Sequence, residues 1–187
     1  MIVKTELTDV LGCPHPIVLA PMANVSGAAL AESVSTAGGF GIVGGGYGDR
    51  GWLEGEIDKI SNPSAIGVGF ITWRLAADQT LLDLALSIQP KAIFLSFGDL
   101  LPFAKKIKNQ CLLIAQVQTL SDAKLAVQQG ADLIVAQGTE AGGHGGSRAT
   151  ISLLPAVVDA VKPVPVIAAG GIGDGRGLAA CLMLGAC

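Results

Sequence analysis

Charge is scarce in this sequence. Asp, Glu, Lys and Arg make up only 14% of its 187 residues, the net charge is -3, and the basic residues do not cluster. Gripping nucleic acid or an anionic membrane surface takes a concentrated patch of Lys and Arg, so neither partner is expected. Aromatic residues are also few, at 4%. Two of them, Trp73 and Phe97, stand beside the ends of apolar runs and read as core or loop packing, not as a stacking platform. The cysteines Cys13, Cys111, Cys181 and Cys187 show no CxxC pair and no metal-ligand spacing. That argues against a disulfide frame or a zinc centre and for free thiols in a reducing compartment. No run approaches the about 20 uncharged residues of a membrane span, and the start Met1-Ile2-Val3-Lys4-Thr5-Glu6 lacks the apolar core of a secretion signal. The expectation is a soluble, cytoplasmic protein whose partner is a small molecule.

What the sequence has is hydrophobic residues, at 50%, and 26 glycines. Low charge with abundant glycine suits strands buried on both faces and joined by tight turns, the pattern of a parallel α/β fold. Seven apolar runs fit it: Pro16 to Ala20, Phe40 to Val43, Ala65 to Phe70, Ala92 to Ser96, Leu112 to Gln116, Asp132 to Ala136 and Val164 to Ala169. Each is followed by glycine or polar residues and then by helical periodicity, so the repeat is a βα unit. Between the runs, Ala28 to Ala37 ends at Gly38-Gly39 and Ser121 to Gln129 ends at Gly130, helices closed by glycine, with Ser121 as the expected N-cap. Ser152 to Val161 reads as a further helix. Gly39-Phe40-Gly41-Ile42-Val43-Gly44 matches the dinucleotide fingerprint in letters only, because the strand falls inside the match instead of before it.

A (β/α)8 barrel usually needs about 250 residues. The expected fold is therefore a TIM-type barrel in a single domain over 1–187, truncated after the seventh βα unit, with an open doubly wound sheet as the alternative. In a barrel, function gathers on the loops at the C-terminal ends of the strands. Those loops are Pro21-Met22-Ala23-Asn24, Gly44-Gly45-Gly46, Thr72-Trp73-Arg74, Phe97-Gly98-Asp99, Gln116-Val117-Gln118, Gln137 to Gly146, and Gly170-Gly171. They carry neutral hydrogen-bonding groups and glycines with few charges, which suits a flat, polar-edged heterocycle with a phosphate tail better than a metal ion.

Gly142-Gly143 and Gly170-Gly171 would let backbone amides approach a phosphate or ring without a Cβ in the way, although glycine is also what any tight βα turn needs. Gln116 and Gln137, at the ends of apolar strands, can both donate and accept, as the edge of a flavin requires; glutamines satisfying loop backbone are the alternative. His144 follows the sixth run in a loop crowded with glycine, and an imidazole is the natural general base near neutral pH. His15, before the first run, would lie at the opposite end of a barrel. Glu140 could orient the loop, pair with Arg148, or be a solvated surface charge.

Gln137-Gly138-Thr139-Glu140-Ala141-Gly142-Gly143-His144 is the most specific motif. With Pro-Ile-Val-Leu-Ala-Pro-Met-Ala (16 to 23), Gly-Gly-Phe-Gly (38 to 41), Gly-Val-Gly-Phe (67 to 70) and Ala-Ala-Gly-Gly-Ile (168 to 172), it makes the chain resemble the FMN-dependent nitronate monooxygenases, formerly called 2-nitropropane dioxygenases. The resemblance implies FMN as cofactor and oxidation of an alkyl nitronate or nitroalkane by O2 to a carbonyl compound and nitrite. It places Ala20, Pro21, Met22 and Ala23 against the isoalloxazine, Gln116 and Gln137 on polar atoms of FMN, and Gly142, Gly143, Gly170 and Gly171 on flavin or phosphate. It also puts Gly69 at the cofactor, where many members carry asparagine, and makes His144 the catalytic base. Members continue into an eighth strand with a phosphate-gripping turn, so weak FMN binding is expected of the 187 residues alone. The competing expectations are a flavin-dependent enoyl-acyl-carrier-protein reductase and a non-catalytic barrel fragment.

Overall fold

In a computed structural model, residues 3–187 are described. They fall into two compact units, 3–113 and 114–187. Both alternate strand and helix in chain order, with parallel pairing.

The first unit opens with α1 (Glu6–Leu11), capped by a reciprocal pair of hydrogen bonds between Thr5 and Thr8 and closed by Gly12 at φ 75°. α2 (Ala28–Thr36) leads into β1 (Gly41–Gly44), and α3 (Arg50–Ile57) and a 3-10 turn lead into β2 (Ile66–Ile71). The one-turn α4 (Thr72–Leu75), then α5 (Thr80–Ser87), β3 (Ala92–Ser96) and α6 (Leu101–Lys108) follow. β1 pairs with β2 from Gly41↔Ile66 to Gly44↔Gly69, and β2 with β3 from Gly67↔Ala92 to Ile71↔Ser96. Every residue of β1 and β3 is buried, which is why they read as unbroken apolar runs. The glycines of the spurious fingerprint are packing positions: a Cβ on Gly41 would fall 2.0 Å from the Ala31 carbonyl oxygen, so glycine is what lets α2 lie close against β1.

The second unit contains β4 (Leu112–Val117, whose first two residues belong to the first unit), α7 (Leu120–Gln128), β5 (Leu133–Gln137), α8 (Thr150–Val161), β6 (Val166–Ala169) and α9 (Gly175–Met183). Its register runs Ile114↔Leu133 to Val117↔Ala136 and Ile134↔Val166 to Gln137↔Ala169. α8 survives Pro155 in its middle, although the proline removes a helix hydrogen bond. Leu153, Leu154 and Val157 on the same helix are fully buried, and each such side chain contributes about 1.5–3 kcal/mol.

Four expectations need correction. The first apolar run, Pro16 to Ala20, forms an isolated parallel bridge, Val18↔Phe40, and no strand, so six strands are present among the described residues where seven were expected. Its pairing is limited to Leu19 N–H donating to Phe40 O and Phe40 N–H to Ile17 O. Pro14, Pro16 and Pro21 bracket the run, and proline has no N–H for a ladder. Second, α7 is capped by Thr119, whose hydroxyl accepts from Asp122 N–H at 3.1 Å, and Ser121 sits inside the helix. Third, Thr72-Trp73-Arg74 is helical, not loop, and Trp73 is 52% exposed instead of packed. Fourth, α8 begins two residues before Ser152. No helix among the described residues is long and apolar enough to cross a membrane.

Candidate active site

Two groups of the expected site residues assemble, one in each unit. In the first unit, the chain from Ala20 to Ala23 is held by Ser26, a fully buried serine. Its hydroxyl accepts from Met22 N–H at 2.7 Å and lies 3.0 Å from Met22 O, while Ser26 O accepts from Gly44 N–H at the end of β1. The loop has no regular hydrogen-bond ladder, and the Ser26 hydroxyl joins the turn bonds Met22 N–H to Ala20 O and Ser26 N–H to Met22 O in fixing it. Gly44 and Gly69 let it sit close. A Cβ on Gly44 would come within 2.6 Å of Met22 O, and one on Gly69 within 2.3 Å of Pro21 Cβ. Gly69 therefore acts as the seat of Pro21, and an asparagine has no room there unless Pro21 moves. Met22 is left 40% exposed at the surface of this loop.

In the second unit, three glutamines converge where β4 and β5 end. Gln137, the last residue of β5, is buried. Its Oε1 accepts from Gln116 Nε2 at 2.6 Å and from Gln118 Nε2 at 2.8 Å, and its own Nε2 donates to Gly142 O at 3.3 Å. Gln118 Nε2 also donates to His144 O at 2.6 Å. Both amide hydrogens of Gln118 and both acceptor positions of Gln137 are thus used, and a buried carboxamide is expected to be satisfied in this way. Gln116 and Gln137 are brought together and bonded to each other, and Gln137 also bonds the loop carbonyl of Gly142, the backbone-satisfying role that the sequence left as the alternative. His144 lies in that loop with its side chain exposed.

A second knot ties the loop to the start of α8. Glu140 Oε2 accepts from both the N–H and the hydroxyl of Thr150, each at 2.8 Å. The same hydroxyl lies 3.1 Å from Gly170 O. α8 has no cap from its own N-cap residue, Ala149, so the carboxylate serves instead, at the helix end where negative charge is favoured. Those bonds, the one from Thr150 N–H first, hold the Glu140 carboxyl below its ordinary value of 4.5. Of the three roles open to Glu140, orienting the loop is the one found, and Arg148 instead donates to Ser152 O. Gly170 and Gly171 both have positive φ, 119° and 73°, and a Cβ on Gly170 would meet Thr150 Oγ1 at 2.7 Å.

Sequence reasoning passed over Gln118 and Thr150. Gln118 shares its side of the extended chain with Gln116, two residues back, and that spacing was the available signal. Thr150, directly before an apolar helical run, was the cue to a helix start.

A Cβ on Gly142, Gly143, Gly145, Gly173 or Gly175 would have nothing within 4 Å, so the backbone at these turns is open to approach. No cluster of three or more His, Cys, Asp or Glu among the described residues could hold a metal ion.

Comparison with known proteins shows the family. The nitronate monooxygenase family model matches residues 4–65 and 71–187. A probable nitronate monooxygenase of Staphylococcus aureus (strain MSSA476) is 33% identical over 98% of this chain and 65% of its own length. A hydroxy-methyl-oxo-octahydroindene-carboxyl-CoA dehydrogenase of Rhodococcus jostii (strain RHA1) is 37% identical over 98% of this chain and 52% of its own. Among solved structures, FabK of Thermotoga maritima has a TM-score of 0.90 at 34% identity, covering 98% of this chain and 60% of that one. Nitroalkane oxidase of Streptomyces ansochromogenes has a TM-score of 0.79 at 30% identity, covering 97% and 65%. The chain belongs to the nitronate monooxygenase family of flavin-type oxidoreductases. It spans between half and two thirds of the length of these relatives.

Proposed function

We propose that this protein is an FMN-dependent oxidoreductase of the cytoplasm that uses O2 to convert alkyl nitronates, or the nitroalkanes from which they form, to a carbonyl compound and nitrite. The observation that carries the reading is the histidine of the family motif, His144, on a loop pinned by hydrogen bonds to the carboxamides that close β4 and β5. FMN, when bound, supplies the redox chemistry. The chain supplies placement. Gln116 keeps its Oε1 and one amide hydrogen for the edge of the ring, Gln137 keeps one amide hydrogen, and the turns at Gly142-Gly143 and Gly170-Gly171 would present backbone amides to ring or phosphate; the loop Ala20-Pro21-Met22-Ala23 on its Gly69 seat would contact the flavin as the family resemblance implies.

His144 acts on the substrate. A neutral nitroalkane has to lose the proton on the carbon bearing the nitro group before it becomes a nitronate, and an exposed imidazole on a fixed loop is suited to take it. A nitronate supplied ready-made skips that step.

The similarity to FabK favours a second reading, as an enoyl-acyl-carrier-protein reductase, in which a nicotinamide cofactor reduces the flavin. Anaerobic mixing separates the two. In the protein loaded with FMN, the flavin absorbance is expected to bleach rapidly with ethyl nitronate and slowly with NADH. Fast bleaching by NADH with no response to the nitronate rejects the first reading.

A further inference from the structure

The backbone from Gly142 to Gly146 holds four glycines, at 142, 143, 145 and 146, around His144. Packing does little to define it, since side chains added at Gly142, Gly143 and Gly145 would meet empty space. A stretch of this kind has many conformations to lose, so hydrogen bonds must select among them. Two carboxamide nitrogens reach into it. Gln137 Nε2 meets Gly142 O at 3.3 Å, and Gln118 Nε2 meets His144 O at the shorter distance of 2.6 Å.

Gln118 is suited to the task by its two bonds. Its nitrogen also donates to Gln137 Oε1 at 2.8 Å, and Gln137 is buried at the end of β5, so the carboxamide is anchored to the strand end before it reaches the loop. Gly146 packs over the stem of the same side chain, where a Cβ would lie 3.2 Å from Gln118 Cβ. A hydrogen bond to the carbonyl of residue 144 fixes the plane of the peptide that follows it. This limits ψ of His144 and with it the direction in which the imidazole leaves the chain.

We propose that Gln118 is the positioning residue of His144, holding the histidine's own peptide to the carboxamide cluster at the ends of β4 and β5. The proposal rests on the reading of His144 as the base that deprotonates a nitroalkane. Gln118 touches neither substrate nor cofactor in this account and acts through the loop.

Gln118→Met keeps the length of the side chain and removes both donors, and Gln118→Ala removes them with less bulk to misplace. The NMR resonances of the full chain without flavin give a readout independent of turnover. Loss of the bond to His144 O is expected to shift the amide resonances of residues 142–146, that of Gly145 most because its N–H shares a peptide with that carbonyl, leaving those of Leu133–Gln137 of β5 in place. With FMN loaded, kcat for neutral nitroethane is expected to fall about tenfold to a hundredfold, as for a misplaced catalytic group, with KM and turnover of preformed ethyl nitronate nearly unchanged. Unchanged resonances at 142–146 overturn the proposal whatever the rates. So does full activity of Gln118→Met on nitroethane when His144→Ala is slow, and so does displacement of the β5 resonances in both variants, because the side chain would then be supporting the strand. Shifted loop resonances with His144→Ala fully active keep the placement by Gln118 and remove the base assignment.

Discussion

Gly138, the first residue after β5, is predicted to be intolerant of a single added methyl group. A Cβ there would lie 2.0 Å from Thr150 Oγ1, 2.4 Å from Thr150 N and 2.6 Å from Thr150 Cα. Two of those three atoms are backbone, so no rotamer change relieves the contact, and the first turn of α8 or the end of β5 has to move. Movement of either strains the bonds from Thr150 to Glu140 and Gly170. Overpacking costs about 1–3 kcal/mol, and loss of a helix cap costs about 1 kcal/mol. Gly138→Ala is therefore expected to lose about 2–4 kcal/mol in urea unfolding, with an unchanged denaturant slope. Gly142→Ala is the control: it adds the same methyl group four residues later, where nothing lies within 4 Å, and is expected to stay within about 0.5 kcal/mol of the parent. Equal stabilities for the two variants would refute the reasoning, because the close approach of β5 to α8 would then not be what requires glycine at 138.

Two further outcomes follow from the same structure. Thr72 is 2% exposed, and among the described residues its hydroxyl is the buried side-chain group without a hydrogen-bond partner, so Thr72→Val is expected to raise stability by about 1 kcal/mol in urea unfolding; a loss of that size would show that the hydroxyl has a partner when the protein is in water. The Glu140 carboxyl, held below its ordinary value by its bonds to Thr150, adds stability that is present above pH 4.5 and is lost as pH falls through the lower folded value. Glu140→Gln is accordingly expected to show a flatter fall in melting temperature below pH 4.5 than the parent, and identical acid profiles would contradict the capping role.

β1, β3 and β5 are the most legible strands because every residue in them is buried. Ala92 to Ser96 is β3 to the residue, Leu112 to Gln116 is one residue short of the end of β4, and Asp132 to Ala136 is shifted by one residue at both ends of β5. The first run is apolar enough to pass for a strand, but Pro16 within it lacks a donor and Pro14 and Pro21 flank it, so the pairing stops at one bridge. α9 was hidden by Gly175-Arg176-Gly177 at its start, where helix propensity is poor; Asp174 overcomes it by accepting from the N–H groups of Arg176 and Gly177. In the site, residue types announced His144, Gln116, Gln137 and the paired glycines, but not who holds whom. Glu140 capping a helix ten residues away, and Gln118 reaching a carbonyl across the loop, depend on where the chain returns in space, which periodicity does not encode.

The central claim is that His144 removes a proton from the substrate at the ends of β4 and β5. It is tested by comparing neutral nitroethane with preformed ethyl nitronate in the FMN-loaded parent and in His144→Ala at the same flavin occupancy. The account predicts that His144→Ala loses about a hundredfold or more in rate with nitroethane, and keeps most of its rate with the nitronate. Equal rates of parent and variant on nitroethane would contradict it.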